Sequence, residues 1–143
     1  MSQIQRSAYV DFSCEQMFAL VNDIESYPLF LPGCKNATLL SQTEGEIMAS
    51  LEVGKGAIRQ VFSTRNRLVR AKQIEMQLVK GPFKRLHGVW SFTELSENSC
   101  KIALVLDFEL NGMLKLAFGG VFSQITNSMV DAFSQRAKVV YGG

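Results

Sequence analysis

The chain has 143 residues, of which 47% are hydrophobic and 20% charged, with a formal net charge of +2 at pH 7. This length and apolar fraction fit one globular domain over residues 1–143 and exclude a disordered chain. They leave no room for separate catalytic and binding domains, so any functional site must lie in a single core.

No segment of the sequence is long and apolar enough to cross a bilayer. The longest uncharged stretch, residues 116–130, contains two glycines and five polar residues, whereas a spanning helix needs about 20 mainly apolar residues. No export or import signal is visible at the N-terminus. The three cysteines, Cys14, Cys34 and Cys100, are too widely spaced for a metal knuckle. We therefore expect a location in the bacterial cytoplasm or at the periphery of the inner membrane.

The first third of the chain predicts one strand and two short helices. Residues 3–10 alternate as a strand does. Ser13 and Gln16 form a capping box that begins a helix ending near Asn22. A second helical turn is predicted over residues 26–33, where one proline can begin a helix and a Pro-Gly pair must end it.

The middle of the chain predicts an antiparallel sheet of six or seven strands. Two segments with less regular patterns, residues 34–42 and 56–68, are predicted strands. Four further segments show the alternation of apolar and polar residues that is typical of strands with one buried face. They are residues 46–53, 73–78, 86–92 and 102–108.

The C-terminal region predicts one long amphipathic helix over residues 116–141, because apolar side chains recur there at steps of three and four. The order of elements is that of an α+β fold in which a curved antiparallel sheet wraps around this helix. A tunnel remains between sheet and helix unless large side chains fill it. We expect a cavity of roughly 300 to 1,000 Å³, the usual range for small-ligand pockets.

Four segments carry a resemblance to a known family. They are residues 23–32, 62–66, 81–92 and 133–137, in family order and with family-like spacing. The sequence resembles the coenzyme Q-binding START-like family, within the polyketide cyclase (SRPBCC) group, and in particular its bacterial branch of ribosome association toxins. One departure is Gly33, where many relatives are expected to have an aromatic residue at the pocket entrance.

The resemblance implies a helix-grip (START-like) fold with an apolar cavity for ubiquinone or a similar isoprenoid lipid, and a role in respiration. It implies no resident cofactor and no metal, the lipid being a bound ligand. For the bacterial branch it also implies a toxin of a toxin-antitoxin pair that binds the large ribosomal subunit and blocks subunit joining.

Thirteen apolar residues are predicted to line the cavity. Flexible thioethers and flat rings suit an irregular isoprenoid tail, although simple core packing is the alternative for each residue taken alone. The predicted lining residues are Phe30, Phe62, Met76, Leu78, Trp90, Phe92, Leu104, Leu106, Phe108, Phe122, Ile125, Met129 and Phe133.

The charge distribution along the chain is uneven. Residues 55–85 contain nine basic residues and one acidic residue, whereas residues 1–54 contain two basic and seven acidic residues. A positive field favours ribosomal RNA or an anionic membrane as partner. For the turn at residues 80–85, the alternative is an ordinary solvated turn with the Phe83 ring packed beneath it. The predicted contact residues are Arg59, Arg65, Arg67, Lys80, Phe83, Lys84 and Arg85.

Catalytic motifs are not evident in the sequence. The single histidine, His87, is predicted to point away from Trp90 and has no second histidine to complete a metal site. Asp107 and Glu109 lie on one strand face, where a salt-bridged edge is the simpler interpretation. We therefore expect a non-enzymatic binding protein, the alternative being a cyclase or aromatase-like enzyme that acts on an apolar substrate in the same cavity.

Overall fold

The computed structural model describes residues 2–142, and its seven strands form one antiparallel sheet in the order β1-β7-β6-β5-β4-β3-β2. A short 3-10 helix over Ile24–Leu29 follows the first α-helix. The remaining elements are β1 (Ser2–Val10), α1 (Cys14–Asn22), β2 (Cys34–Gln42), β3 (Glu46–Lys55), β4 (Ile58–Val69), β5 (Gln73–Lys80), β6 (Phe83–Ser96), β7 (Ser99–Leu110), α2 (Gly112–Asn127) and α3 (Met129–Tyr141).

Helix α1 begins at the predicted capping box. The Gln16 backbone N–H donates to Ser13 Oγ over 3.1 Å, and the Ser13 backbone N–H donates to Gln16 Oε1 over 2.9 Å. These two bonds satisfy donors that the helix terminus would otherwise leave unpaired. The helix then buries Met17 and Val21 against the sheet.

Alternation along the strands produces a concave face that is buried under the helices and a convex face that is exposed. In β6, Leu86, Trp90 and Phe92 are buried, while the intervening His87 is half-buried on the other side. The predicted opposition of His87 and Trp90 is confirmed, and so is the sheet wrapped around C-terminal helices.

The predicted single C-terminal helix is wrong in two respects: it begins at Gly112 rather than Leu116, and it is interrupted at Ser128. The hydroxyl groups of Thr126 and Ser128 donate to the carbonyls of Phe122 and Ile125 over 2.9 and 2.8 Å. Hydroxyl groups that bond to backbone carbonyls in this way compete with the helical hydrogen bonds and bend helices. Helices α2 and α3 therefore meet at a break over the middle of the sheet.

One part of the core is built around Trp90, and we call it the Trp90 cluster. The Trp90 ring stacks with Phe92 and meets Phe133 edge-on at a centroid distance of 5.3 Å. Tyr27 contacts the same Phe133 ring, also at 5.3 Å. Trp90 and Phe133 have no solvent exposure, so the centre of this cluster is closed.

The other part of the core, which we call the Phe122 cluster, surrounds the Phe122 ring. Phe108 and Phe83 contact that ring at centroid distances of 4.8 and 5.0 Å, and Phe62 lies at 6.0 Å. Phe118 completes the group from the preceding turn of α2. Edge-on contacts of this kind stabilise aromatic cores beyond the burial of area alone.

The three cysteines are buried as free thiols. Cys14 Sγ lies 2.8 Å from Cys100 Sγ, so the start of α1 contacts β7 through sulfur. Burial raises the pKa of Cys100 to about 12 and that of Cys34 to about 11, because the interior disfavours a charged thiolate.

Strands β1 and β2 form the two edges of the sheet. Strand β2 contains two register shifts against β3, and the 3-10 helix lies along it. The backbone N–H of Leu39 donates to Glu25 Oε2 over 3.3 Å. Within residues 2–142, no helix is long and apolar enough to span a membrane.

Candidate functional site

An internal cavity lies between the concave face and the break between α2 and α3. Its walls are apolar for the most part, and Tyr27 and Leu31 close it on the side of the 3-10 helix. Six of the thirteen residues predicted to line it do so, and they come from three strands and from both helices at the break. They are Phe62, Met76, Leu106, Phe122, Ile125 and Met129.

The cavity encloses only about 60 Å³, so the predicted volume of roughly 300 to 1,000 Å³ is wrong for this conformation. The seven other predicted residues fill the core instead of lining the cavity. Phe30 packs on Phe133 at 5.2 Å, and Leu78 packs against the Phe122 cluster. The remaining five are buried within the two clusters: Trp90, Phe92, Leu104, Phe108 and Phe133.

Three buried polar residues in the cavity wall were not predicted from the sequence: Thr64, Asn66 and Thr126. Thr64 Oγ1 donates to Asn66 Oδ1 over 2.8 Å. Thr126 Oγ1 is engaged with the Phe122 carbonyl at the helix break. The alternation of β4 indicates this placement, because Thr64 and Asn66 share the face of the buried Phe62 while the neighbouring Arg65 and Arg67 are exposed on the other face.

Among the described residues that line the cavity, Tyr27 is the one with an ionisable side chain. It is fully buried, and its hydroxyl donates to the carbonyl of Val21. Burial raises the pKa of this phenol well above its usual range, and nearby Cys34 adds to the effect. Tyr27 therefore presents a neutral ring to the cavity.

A surface groove of about 340 Å³ lies beside the cavity, and Ile125 lines both. Ile125 thus lies where the two spaces adjoin. It packs against Gly33, whose φ is +81° and where an added Cβ would lie 2.5 Å from the Ile125 side chain. The aromatic residue that many relatives are expected to have at position 33 cannot fit here while Ile125 packs against this position.

Cations gather at one end of the sheet, which we call the basic end. The antiparallel order places the start of β2, the β3-β4 turn, the β5-β6 turn and the start of α2 at this end. The cations there are exposed, and Lys35 and Lys55 border the groove beside Ile125. The basic end comprises Lys35, Lys55, Arg59, Lys80, Lys84 and Lys115.

Several cations of the predicted contact surface have acidic neighbours from distant parts of the chain. Arg65 lies 3.7 Å from Glu46, and both Lys84 and Arg85 lie 3.9 Å from Glu109. Arg67 points outward from β4, beside Arg65, and Arg59 donates to the Gly56 carbonyl. The uneven charge of the sequence is therefore partly neutralised on the convex face.

Phe83 is not available to a partner, contrary to its predicted place on the contact surface. It is buried in the Phe122 cluster. A register shift between β6 and β7 lies between Phe83 and Arg85, and such a bulge changes which residues face the core. The alternative interpretation, a ring tucked beneath a solvated turn, is the one that the structure supports.

The opposite end of the sheet is mainly acidic, and we call it the acidic end. It carries the β1-α1 connection and the β2-β3, β4-β5 and β6-β7 turns. Its acidic residues are Asp11, Glu15, Glu44, Glu94 and Glu97. Arg70 and Lys72 are also present, and Arg70 lies 2.5 Å from Glu15. The two ends give the molecule an electrical polarity along the strands.

Polar groups on the convex face form pairs across neighbouring strands. His87 Nε2 lies 2.8 Å from Glu75 Oε2 on the neighbouring strand, so His87 has a partner that the sequence did not reveal. Asp107 accepts a hydrogen bond from Gln3. No group of three metal-ligating side chains was found among the described residues.

Relatives of known name match the chain over its full length. A protein of Vibrio cholerae serotype O1 named "Ribosome association toxin RatA" is 51% identical over 99% of both chains. The "Coenzyme Q-binding protein COQ10 homolog B, mitochondrial" of Xenopus laevis is 29% identical, and the match covers 98% of this chain and 59% of that protein.

The fold is shared with a solved aromatase/cyclase. The Zhui aromatase/cyclase of Streptomyces sp. R1128 superposes with a TM-score of 0.85 over 99% of this chain and 98% of its own, at 15% identity. The family model described as "Polyketide cyclase / dehydrase and lipid transport" matches residues 10–134. The helix-grip architecture and these matches agree, and the chain belongs to the polyketide cyclase / dehydrase and lipid transport family.

Proposed function

We propose that the protein associates with the large ribosomal subunit through its basic end and thereby hinders subunit joining. The observation that carries this proposal is the convergence of cations from β2 to β6 and α2 at one end of the molecule. Clustered lysines and arginines neutralise RNA phosphates and release counterions. The name of the Vibrio cholerae relative supports the same function.

The basic end provides phosphate contacts without a stacking platform. Within residues 2–142, Lys35, Lys55 and Lys80 are exposed and form no ion pair, while Phe83 is buried. Contacts of this kind fix position and affinity but do not read bases. Binding should therefore be strongly dependent on salt.

The test is co-sedimentation of the protein with purified large and small ribosomal subunits at two salt concentrations. We expect the wild type to pellet with the large subunit and to reduce the fraction of joined ribosomes. The double variant Lys55→Gln/Lys80→Gln should bind more weakly at both salt concentrations, and its slope of log affinity against log salt should be shallower by about 2. These two lysines are chosen because Lys84 and Arg85 already lie near Glu109.

The matched control is Lys72→Gln/Lys138→Gln, which removes the same charge away from the basic end. This variant should bind like the wild type. Equal loss in both variants would show a general charge effect and would refute the basic end as the contact surface. A parallel arm with vesicles of phosphatidylglycerol tests the anionic membrane instead, for which the exposed Met113 and Leu116 beside Lys115 are the relevant side chains. Binding to vesicles but not to ribosomes would replace the proposal.

We infer a second function, the binding of an apolar ligand of the ubiquinone class. Its support is the mainly apolar cavity, which adjoins a groove of about 340 Å³ at Ile125. The relative from Xenopus laevis is named as coenzyme Q-binding. Since the closed cavity holds only about 60 Å³, a ligand has to displace Ile125 and extend into the groove.

Retention of decylubiquinone after gel filtration, measured by absorbance, tests this function. Met129→Phe fills the cavity and should reduce retention, whereas Met113→Phe makes the same change at an exposed position and should not. Equal retention by both variants would place the ligand elsewhere. The cyclase alternative has less support. Among the described residues of the lining, the one ionisable side chain is Tyr27, and its hydroxyl is held in a hydrogen bond to the Val21 carbonyl.

A further inference from the structure

A buried amide faces the internal cavity. Asn66 lies in the middle of β4 with only 2% of its surface exposed, and it lines the cavity together with Thr64. Its carbonyl oxygen accepts the hydrogen bond from Thr64 Oγ1. Among the hydrogen bonds of residues 2–142, none uses the Asn66 amide nitrogen as donor. Two N–H groups are thus directed to a space whose other walls are mostly apolar.

Among the described residues, the Asn66 amide nitrogen is not one of the fully buried side-chain atoms that lack a partner, so it has access to the cavity, where a water can accept from it. The cavity is large enough to admit water, but a buried water is held well only by two to four polar partners. Thr126 is a weak additional partner, since its hydroxyl donates to the Phe122 carbonyl. A water at Asn66 is therefore held by few groups and is readily displaced by a better acceptor.

The chemistry of the acceptor follows from the cavity walls. An amide N–H pairs with a lone pair, such as that of a carbonyl oxygen. Within residues 2–142, no lysine, arginine or histidine lines the cavity, so an anionic ligand would be buried without a counter-charge, which is strongly unfavourable. Met76 and Phe62 border the same space and favour an apolar remainder.

From this arrangement we infer that Asn66 determines ligand specificity: its amide donates a hydrogen bond to a carbonyl oxygen of a neutral, otherwise apolar ligand. The inference rests on the proposed ligand-binding function and adds a residue and a chemical group to it. Thr64 is a positioning residue, because its hydroxyl holds the Asn66 carbonyl and so orients the amide nitrogen to the cavity.

The test compares two probes that differ in the carbonyl groups: 2-decyl-1,4-benzoquinone and decylbenzene. We expect the wild type to bind the quinone at least about tenfold more tightly, because one hydrogen bond to a buried donor has that effect. In Asn66→Leu the preference should disappear while decylbenzene still binds. The ratio of the two affinities is the readout, since a general change in stability affects both probes alike.

A second variant guards against misfolding of the first. Thr64→Val/Asn66→Leu replaces both hydrogen-bonding partners by apolar groups of similar size, which is the better tolerated change. It should also lose the preference, whereas Thr38→Val, a change at an exposed position of β2 outside the cavity, should keep it. Thermal unfolding measured by near-ultraviolet circular dichroism verifies that each variant is folded.

The outcomes separate this inference from the proposed function. If the wild type binds both probes equally, or if the preference survives in the folded double variant, Asn66 is not the specificity residue although an apolar ligand is bound. If the wild type binds neither probe, the ligand-binding function itself fails and the inference fails with it.

Discussion

The Trp90 cluster and the Phe122 cluster are built from the same alternating strands and both border the cavity, but the Trp90 ring is sealed away from the cavity whereas the Phe122 ring lines it. Trp90 and Phe133 themselves have no accessible surface. On the other side, Phe62, Phe122 and Ile125 surround the space beneath the helix break. The difference shows that alternation along a strand decides which side chains face the core, while the helix packed above decides whether those side chains pack closely or leave a cavity.

The largest expected difference between the two clusters is in stability. Trp90→Ala should reduce the free energy of unfolding by about 4 kcal/mol, because it removes a large ring from a closed core and leaves a void. Leu106→Ala, in the cavity wall, should cost about 2 kcal/mol, since its neighbours are already incompletely packed. Urea unfolding gives both values. Equal losses would contradict the distinction between a closed and an open part of the core.

The buried thiols predict a loss of stability at alkaline pH. Folding raises the pKa of Cys34 to about 11 and that of Cys100 to about 12, above the unfolded value of about 8.5. Their contribution is complete below the unfolded pKa and is lost as pH rises towards the folded values. Each thiol should cost about 1.4 kcal/mol per pH unit over that window.

Urea unfolding at pH 7 and pH 10 measures this effect, with Cys100→Ala as the control within the Trp90 cluster. The variant should lose less stability between the two pH values than the wild type. An unchanged pH dependence in the variant would assign the alkaline loss to other groups, of which Tyr27, also with a raised pKa, is the first to test.

The place where cavity and groove adjoin can be tested at Gly33. Gly33→Ala should lower stability by roughly 2 kcal/mol, because φ is +81° and the new Cβ would press on Ile125. Gly56→Ala is the matched control: φ is +61°, and nothing lies within 4 Å of the added atom. It should cost about 1 kcal/mol. If the two variants lose equal stability, Ile125 yields freely and is no barrier to ligand entry.

The smallest effect is expected outside both clusters, at His87. Its pair with Glu75 is 40% and 27% exposed, so solvent screens it, and His87→Ala should change stability by less than about 1 kcal/mol. Ribosome co-sedimentation should also remain unchanged, because His87 lies on the convex face and not at the basic end. A large loss of activity in a folded variant would revive the enzymatic alternative.

The strands and their faces could be predicted because alternation is a local property of the sequence. The capping box at Ser13 is equally local and is confirmed. The helix break was missed, since the apolar spacing continues through Ile125 and Met129 as if the helix were unbroken. The hydroxyl and amide side chains of residues 126–128 were the available signal.

The candidate site was harder to predict, because it depends on contacts between distant residues. Glu46 and Glu109 neutralise cations that are isolated in sequence, and a one-residue bulge turns Phe83 into the core. The cavity volume depends on how aromatic rings fit against one another, which composition does not encode. The burial of Asn66 could not be predicted from the sequence, because asparagine is mostly exposed in folded proteins.

The covered edge of strand β2 has a consequence for the behaviour of the protein at high concentration. An open edge strand is a template to which a second chain can add by backbone hydrogen bonds. Here the two register shifts in β2 distort that template, and the Glu25 carboxylate takes the N–H of Leu39. Glu25→Ala frees one donor on this edge and should promote intermolecular β-sheet formation, detectable as thioflavin-positive aggregates on prolonged incubation.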